Sequence, residues 1–223
     1  MKHAAAVRKE LPFRTIFNLL GPLSNPLHNS SVLETRIVGV AKRDMGSIFA
    51  DALRLSGSRK ALVVCGDEDL DEISCAGPTH CWHLHAPEGS HPPSIIPFMI
   101  APEDFGLKRH PLSSVAGGKS PAQNAAILQQ ILNNDIDVES DDPILTFVLL
   151  NTAALIALSG VCEVESSNMG PGDDGKVISE RGPGGLRWKE GVRRAKWCIR
   201  SGAAKKEWEA FVQVTNEIAQ GKA

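Results

Sequence analysis

Five carboxylates crowd the stretch Asp67-Glu-Asp-Leu-Asp-Glu72, directly after the apolar run Ala61-Leu-Val-Val-Cys65. Like charges held this close repel one another unless a cation or water screens them. A hard divalent ion such as Mg2+ takes carboxylate oxygens and fills its remaining positions with water and phosphate oxygens. Ligands of open α/β sheets gather beyond the carboxyl ends of the strands, which is where this loop falls if residues 60–65 form a strand. The chemistry on offer is therefore a Mg2+–phosphate site. A solvated acidic turn fits the same residues, since most charge runs are simply exposed.

Three other groupings invite chemistry and have plainer readings. His80, Cys81, His83, His85 and His91 resemble metal ligands. On a strand, however, Cys81, His83 and His85 face one way and His80 and Trp82 the other. A zinc site would need a matching fourth ligand elsewhere, so the expectation is a histidine cluster at a sheet edge. Gly117-Gly-Lys-Ser120 looks like the end of a nucleotide-binding P-loop, but Ser113 stands where that motif needs glycine. A structural loop opening a helix is the better account. Arg187–Lys206 holds eight basic residues with Trp188 and Trp197. Helical spacing favours two amphipathic helices, tryptophans inward and cations outward, over a nucleic-acid surface.

The elements that must position these groups follow from periodicity. Arg36–Ala41 and Lys60–Cys65 read as strands. Between them Lys42–Ser56 places Met45, Ile48, Phe49, Ala52 and Leu53 on one helical face. Strand, helix, strand with continuous apolar strands predicts a buried parallel sheet. Thr79–Leu84 reads as a further strand, followed by a Pro-rich connection to Pro102 and a loop over residues 112–120. Helices are predicted over Met1–Leu11, Arg14–Leu20, Ala122–Leu132, Ile144–Ser159, Arg187–Ser201 and Ala203–Gln220. Gly21–Pro26 is expected to be a shaped loop, and residues 163–186, rich in glycine, a flexible surface insertion.

Composition sets outer bounds. The chain has 223 residues, 42% of them apolar, with 24 basic and 26 acidic side chains and a net charge of −2. A core is affordable, and no global field favours nucleic acid or an anionic membrane. No stretch reaches the roughly 18–20 apolar residues of a membrane-spanning helix. The N-terminus lacks the apolar core of a signal peptide. Five cysteines without CxxC spacing argue against a disulfide framework, so a cytoplasmic location is expected.

The N-terminal stretch carries a resemblance. Val7-Arg-Lys-Glu-Leu11, followed by Arg14-Thr-Ile-Phe-Asn-Leu-Leu-Gly-Pro-Leu-Ser-Asn-Pro26, closely resembles the central motif of the anthranilate phosphoribosyltransferases. Asp69-Leu-Asp-Glu-Ile-Ser74, Gly77-Pro-Thr79, Gly117-Gly118 with Asn124-Ala-Ala126, and Asn151-Thr-Ala-Ala-Leu155 resemble later motifs of that family.

The resemblance implies an α/β fold of the nucleoside phosphorylase and phosphoribosyltransferase type. Its mostly parallel sheet would be flanked by helices, with a helical remnant and hinge of a small domain over 1–30 and a catalytic domain over 31–223. It implies transfer of phosphoribosyl from phosphoribosyl pyrophosphate (PRPP) to the amine of anthranilate, a step of tryptophan biosynthesis. Asp71 and Glu72 would hold Mg2+ against the pyrophosphate. Arg8 would pair with the substrate carboxylate, and Gly21 and Pro22 would wall its aromatic ring. No residue is expected to act as acid, base or nucleophile. A homodimer is expected of the full-length enzyme, with no nucleic-acid or membrane partner.

The family's Gly-Thr-Gly-Gly-Asp and Lys-His-Gly-Asn motifs are absent from these residues. The chain thus resembles the C-terminal half to two-thirds of the enzyme, and the isolated chain is expected to have little or no transferase activity. The alternatives are a nucleoside phosphorylase-like enzyme and a non-catalytic fragment that binds a metabolite or partner.

Overall fold

The computed structural model describes residues 21, 23, 35–86, 93–117 and 120–221. Strand β1 (Arg36–Gly39) leads into helix α1 (Met45–Leu55), which returns the chain to β2 (Lys60–Gly66). Strand β3 (Thr79–His85) and β4 (Ser94–Ile100) follow. The helices after them are α2 (Leu112–Val115), α3 (Pro121–Leu132), α4 (Pro143–Ser159), α5 (Trp188–Arg200) and α6 (Ala203–Ala219).

The four strands lie in the order β1-β2-β3-β4. Among the described residues only β1 and β2 run parallel, with Arg36 opposite Ala61 and Gly39 opposite Val64. Strand β3 runs antiparallel to β2, and β4 antiparallel to β3. The expectation of a mostly parallel sheet is therefore wrong. Among the described residues helix accounts for 46% and strand for 14%, around a small, open, largely antiparallel sheet. The physical reason lies in the connections. A parallel neighbour needs a crossover element, which α1 supplies between β1 and β2. Loop 67–78 contains no helix, and it turns the chain back so that Gly66 pairs with Thr79.

Continuous hydrophobicity in β2 did report burial on both faces. Ala61, Val63 and Cys65 pack with Phe49, Ala50 and Leu53 of α1, whereas Leu62 and Val64 pack with Leu150, Ala153 and Ala154 of α4. Helix on one face, sheet in the middle and helices on the other is the resulting layering. Helix α5 crosses α4 closely, and a Cβ on Gly191 would overlap the Ala153 backbone. A third cluster, containing Ile131, Leu145, Leu149, Ala195 and Ile199, joins α3 to that pair.

The stretch expected to be a Pro-rich connection contains β4. Pro97 pairs opposite Trp82 within that strand. Proline lacks a ladder donor and is tolerated on an edge strand, which β4 is among the described residues. Its presence also means that β3 is interior, so the histidines of β3 do not form a sheet-edge cluster.

The helix boundaries follow local chemistry. Ser120 caps α3 by accepting from Gln123 N at 3.3 Å, and Gln123 Oε1 accepts from Ser120 N at 2.7 Å. Asp142 accepts from Leu145 N at the start of α4, and Gly160 ends that helix in the left-handed region. Residues 163–186 are fastened to α5 by charge. Glu190, 0% exposed, accepts from Ile178 N, Arg193 and Arg194, and Arg193 also pairs with Asp173. Trp188, 1% exposed, fills the core and donates through Nε1 to Pro183 O. Arg187 is buried too and donates to the carbonyls of Cys162 and Val164, so not every cation of this stretch faces outward. All five cysteines are free.

Candidate active site

The acidic loop begins where β2 leaves the sheet. Gly66 N donates to Leu70 O at 2.8 Å and Asp69 N to Gly66 O at 3.0 Å, closing a tight turn. Asp69 adopts φ 62° there, a left-handed conformation that aspartate tolerates better than most residues. Asp67 N donates to Pro78 O, tying the two ends of the loop together.

The turn sorts the five carboxylates. Asp67 lies 2.6 Å from His80 Nε2 of β3. Asp69 pairs with Lys42 from the loop after β1. Glu68 accepts from Ser74 Oγ at 3.2 Å. Among the described residues Asp71 and Glu72 have no such partner, and both are exposed. Partial desolvation, and then the Asp71 charge, raise the Glu72 carboxyl above the ordinary glutamate range. A cation between the two would relieve that repulsion.

The backbone beneath this pair is fixed from two sides. Asp71 rests on Gly39 at the end of β1, and a Cβ at Gly39 would overlap the Asp71 carbonyl. Asn151 of α4 reaches across to the next turn of chain. Its Oδ1 accepts from Ile73 N at 3.0 Å, and its Nδ2 donates to Ile73 O at 3.3 Å. Thr79 Oγ1 accepts from Ser74 N at 2.9 Å. The pair therefore stands on a rigid base built from β1, β3 and α4.

Two adjacent unpaired carboxylates suit Mg2+, which is commonly held by one or two protein carboxylates and finished by phosphate and water. The described residues contain no cluster of three or more His, Cys, Asp or Glu able to enclose a metal by themselves. An all-protein cage is not what the donor set offers; an ion shared with a phosphate is.

The other expected site residues fare differently. Gly21 is exposed and helical in backbone, with nothing within 4 Å of where its Cβ would stand. Arg8 and Pro22 lie outside the described residues, as does the boundary near residue 30. Asn151 and Gly39 were not singled out as site residues by sequence. One signal for Asn151 existed, an amide in the middle of the most apolar helix. For Gly39 there was none, because the close approach joins residues 39 and 71.

Residues 1–205 match the model of the glycosyl transferase family, a/b domain. The chain belongs to that family. Within it, the chain is 38% identical over 217 residues to the anthranilate phosphoribosyltransferase of Schizosaccharomyces pombe, covering 97% of this chain and 51% of that protein. It is 36% identical to that of Rubrobacter xylanophilus, covering 98% of this chain and 53% of the other. The Saccharomyces cerevisiae anthranilate phosphoribosyltransferase solved in complex with PRPP and Mg superposes with TM-score 0.76 at 31% identity, over 96% of this chain and 50% of that one. The same enzyme with 4-fluoroanthranilate gives TM-score 0.75 at 32% identity, over 96% of this chain and 51% of that one. This glycosyl transferase family member thus spans about half the length of the relatives it matches. Among its described residues no helix is long and apolar enough to cross a membrane.

Proposed function

We propose that this chain forms the metal-holding half of an anthranilate phosphoribosyltransferase. The observation that carries the reading is the sorting of the acidic loop, which leaves Asp71 and Glu72 alone unpaired on a braced backbone. The likeness to a solved relative in complex with PRPP and Mg supports it.

In the proposed reaction the anthranilate amine attacks the anomeric carbon of PRPP. A C–N bond forms, the C–O bond to pyrophosphate breaks, and its electron pair leaves with the pyrophosphate oxygen. The nitrogen then loses a proton. No protein nucleophile is required, so positioning and electrostatics supply the catalysis. When bound, Mg2+ supplies positive charge against the leaving pyrophosphate. Asp71 and Glu72, at the carboxyl end of β2, are the residues that would hold that ion. Arg8 pairs with the anthranilate carboxylate, a two-pronged contact that suits a planar guanidinium. Gly21 and Pro22 wall the aromatic ring. A homodimer and a cytoplasmic location belong to the same reading.

A chimera tests it. This chain is substituted for the matching half of the S. cerevisiae enzyme, and anthranilate consumption is followed after addition of PRPP and Mg2+. The reading expects turnover that falls at least about a hundredfold in Asp71→Asn with Glu72→Gln. A folded but inert chimera, or one indifferent to both substitutions, contradicts it. Phosphorolysis of a nucleoside in place of anthranilate consumption would favour the phosphorylase alternative.

A further inference from the structure

A second concave site lies at the other end of the sheet. Lys60 and His85 pair at the end of the sheet opposite Gly66 and Thr79, and beside them a cleft is lined by residues of β2, β3, β4, the end of α4 and the stretch 181–186. The cleft has a volume of about 360 Å3. That is within the range of small-molecule sites, at its lower end.

Its lining is mostly apolar, with a few convergent polar groups. Ile96, Leu158 and Leu186 form walls. Lys60 Nζ spends one donor on Ser159 O at 3.0 Å, at the last residue of α4, leaving two of its three N–H groups. Arg181 and Glu163 also line the cleft but neutralise each other as an ion pair. Lys60 is therefore the uncompensated charge among these residues.

His83 supplies the observation that points to a ligand. The residue lines the cleft yet is only 5% exposed, and its buried Nδ1 has no hydrogen-bond partner among the described residues. Buried polar atoms are almost always satisfied, so one left unpaired beside a cleft calls for a partner that enters it. Phe98 meets the ring edge-on with centroids 6.3 Å apart, fixing its orientation. Burial first, then His85 and Lys60, lowers the His83 pKa to about 4, so near neutrality the ring is uncharged and presents both a donor and an acceptor nitrogen.

We propose that this cleft binds a small carboxylic acid with an apolar body, its carboxylate on Lys60 and a polar atom on His83, at the opposite end of the sheet from Asp71 and Glu72. The apolar body covers Ile96, Leu158 and Leu186. The site is independent of the metal pair and of the proposed transfer reaction.

Hexanoate and its uncharged counterpart hexanol are the probes, titrated into the full 223-residue chain with the His83 ring followed by NMR. Saturable shifts with hexanoate at a Kd of about 1 mM or tighter are expected, with hexanol at least about tenfold weaker. Lys60→Met should weaken hexanoate by about tenfold or more, and Ile96→Trp, which fills the cleft from its exposed side, should abolish the shifts. Asp71→Asn with Glu72→Gln should leave binding unchanged, which separates this site from the metal site. An unmoved His83 signal at ten times that concentration overturns the proposal. So does equal binding of hexanoate and hexanol, a comparison that needs no variant to fold.

Discussion

The side-chain amide of Asn151 binds both backbone groups of Ile73, accepting from its N–H at 3.0 Å and donating to its C=O at 3.3 Å. A residue of α4 thereby does for the acidic loop what a neighbouring strand would do. Its Nδ2 also donates to Phe147 O at 3.1 Å, which fixes the amide's orientation on its own helix. The consequence is local rigidity one residue beyond Glu72.

Asn151→Leu keeps the volume and removes the pairing. Both Ile73 groups then lose their partner, and a buried unsatisfied group costs roughly 1–3 kcal/mol. Urea denaturation should show a loss of that order, and metal-dependent PRPP binding should weaken with it. A variant as stable as the parent would mean that Ile73 finds water instead.

Gly39→Ala should act on Asp71 without touching its carboxylate. The added methyl overlaps the Asp71 carbonyl, so the loop must move or the strand must bend. A stability loss of about 1–3 kcal/mol is expected from such overpacking. Amide NMR should place the largest shifts at residues 70–73. Shifts confined to β1 would show that the loop had not depended on this contact.

Glu190→Gln tests the anchor of residues 163–186. Despite the opposing effect of desolvation, hydrogen bonds from Arg193, Ile178 N and Arg194 hold the Glu190 carboxyl below the ordinary range. Removing the charge leaves Arg194 without its carboxylate and Arg193 with Asp173 as its remaining close partner, and breaking a buried pair typically costs about 3–5 kcal/mol. The sign with pH follows from the lowered folded-state value. The contribution is present above the ordinary glutamate pKa of about 4.3 and is lost as pH falls through the lower folded value. The wild-type advantage over the variant in thermal unfolding should therefore shrink below about pH 4.

His83 gives a second pH signature in a different window. Its pKa falls from 6.5 to about 4 in the folded chain, so the unfolded chain takes up the proton first as pH drops. Stability from the neutral ring is full above pH 6.5 and declines toward about pH 4. In His83→Phe that part of the slope should disappear. Identical slopes in the two proteins would show that the ring is not shielded as described.

Much of this was legible in the residues, for reasons that mark where reading stops. The apolar run of β2 announced burial on both faces, and α1 announced the parallel pairing of β1 with β2. Strand direction after Gly66 was not legible, because loop 67–78 decides it and turn geometry is weakly encoded in an acidic stretch. Strand β4 was hidden by Pro97, which normally argues against a strand and is allowed here only by an edge position that the sequence does not display. The acidic loop was visible as five equal carboxylates. Its sorting depends on Lys42, Ser74 and His80, one of them distant in sequence. The resemblance singled out Asp71 and Glu72. The physical ground for separating them from their neighbours, the lack of a protein partner, appears only in three dimensions.

The central claim, that Asp71 and Glu72 hold a divalent ion together with the pyrophosphate of PRPP, is tested most directly with Mn2+ as a paramagnetic stand-in for Mg2+. Amide spectra of the chain are recorded as Mn2+ is added with PRPP. The account predicts line broadening centred on residues 70–73, absent in Asp71→Asn with Glu72→Gln while the rest of the spectrum is retained. Broadening that survives both substitutions, or that centres on Asp67 and Asp69, would contradict it.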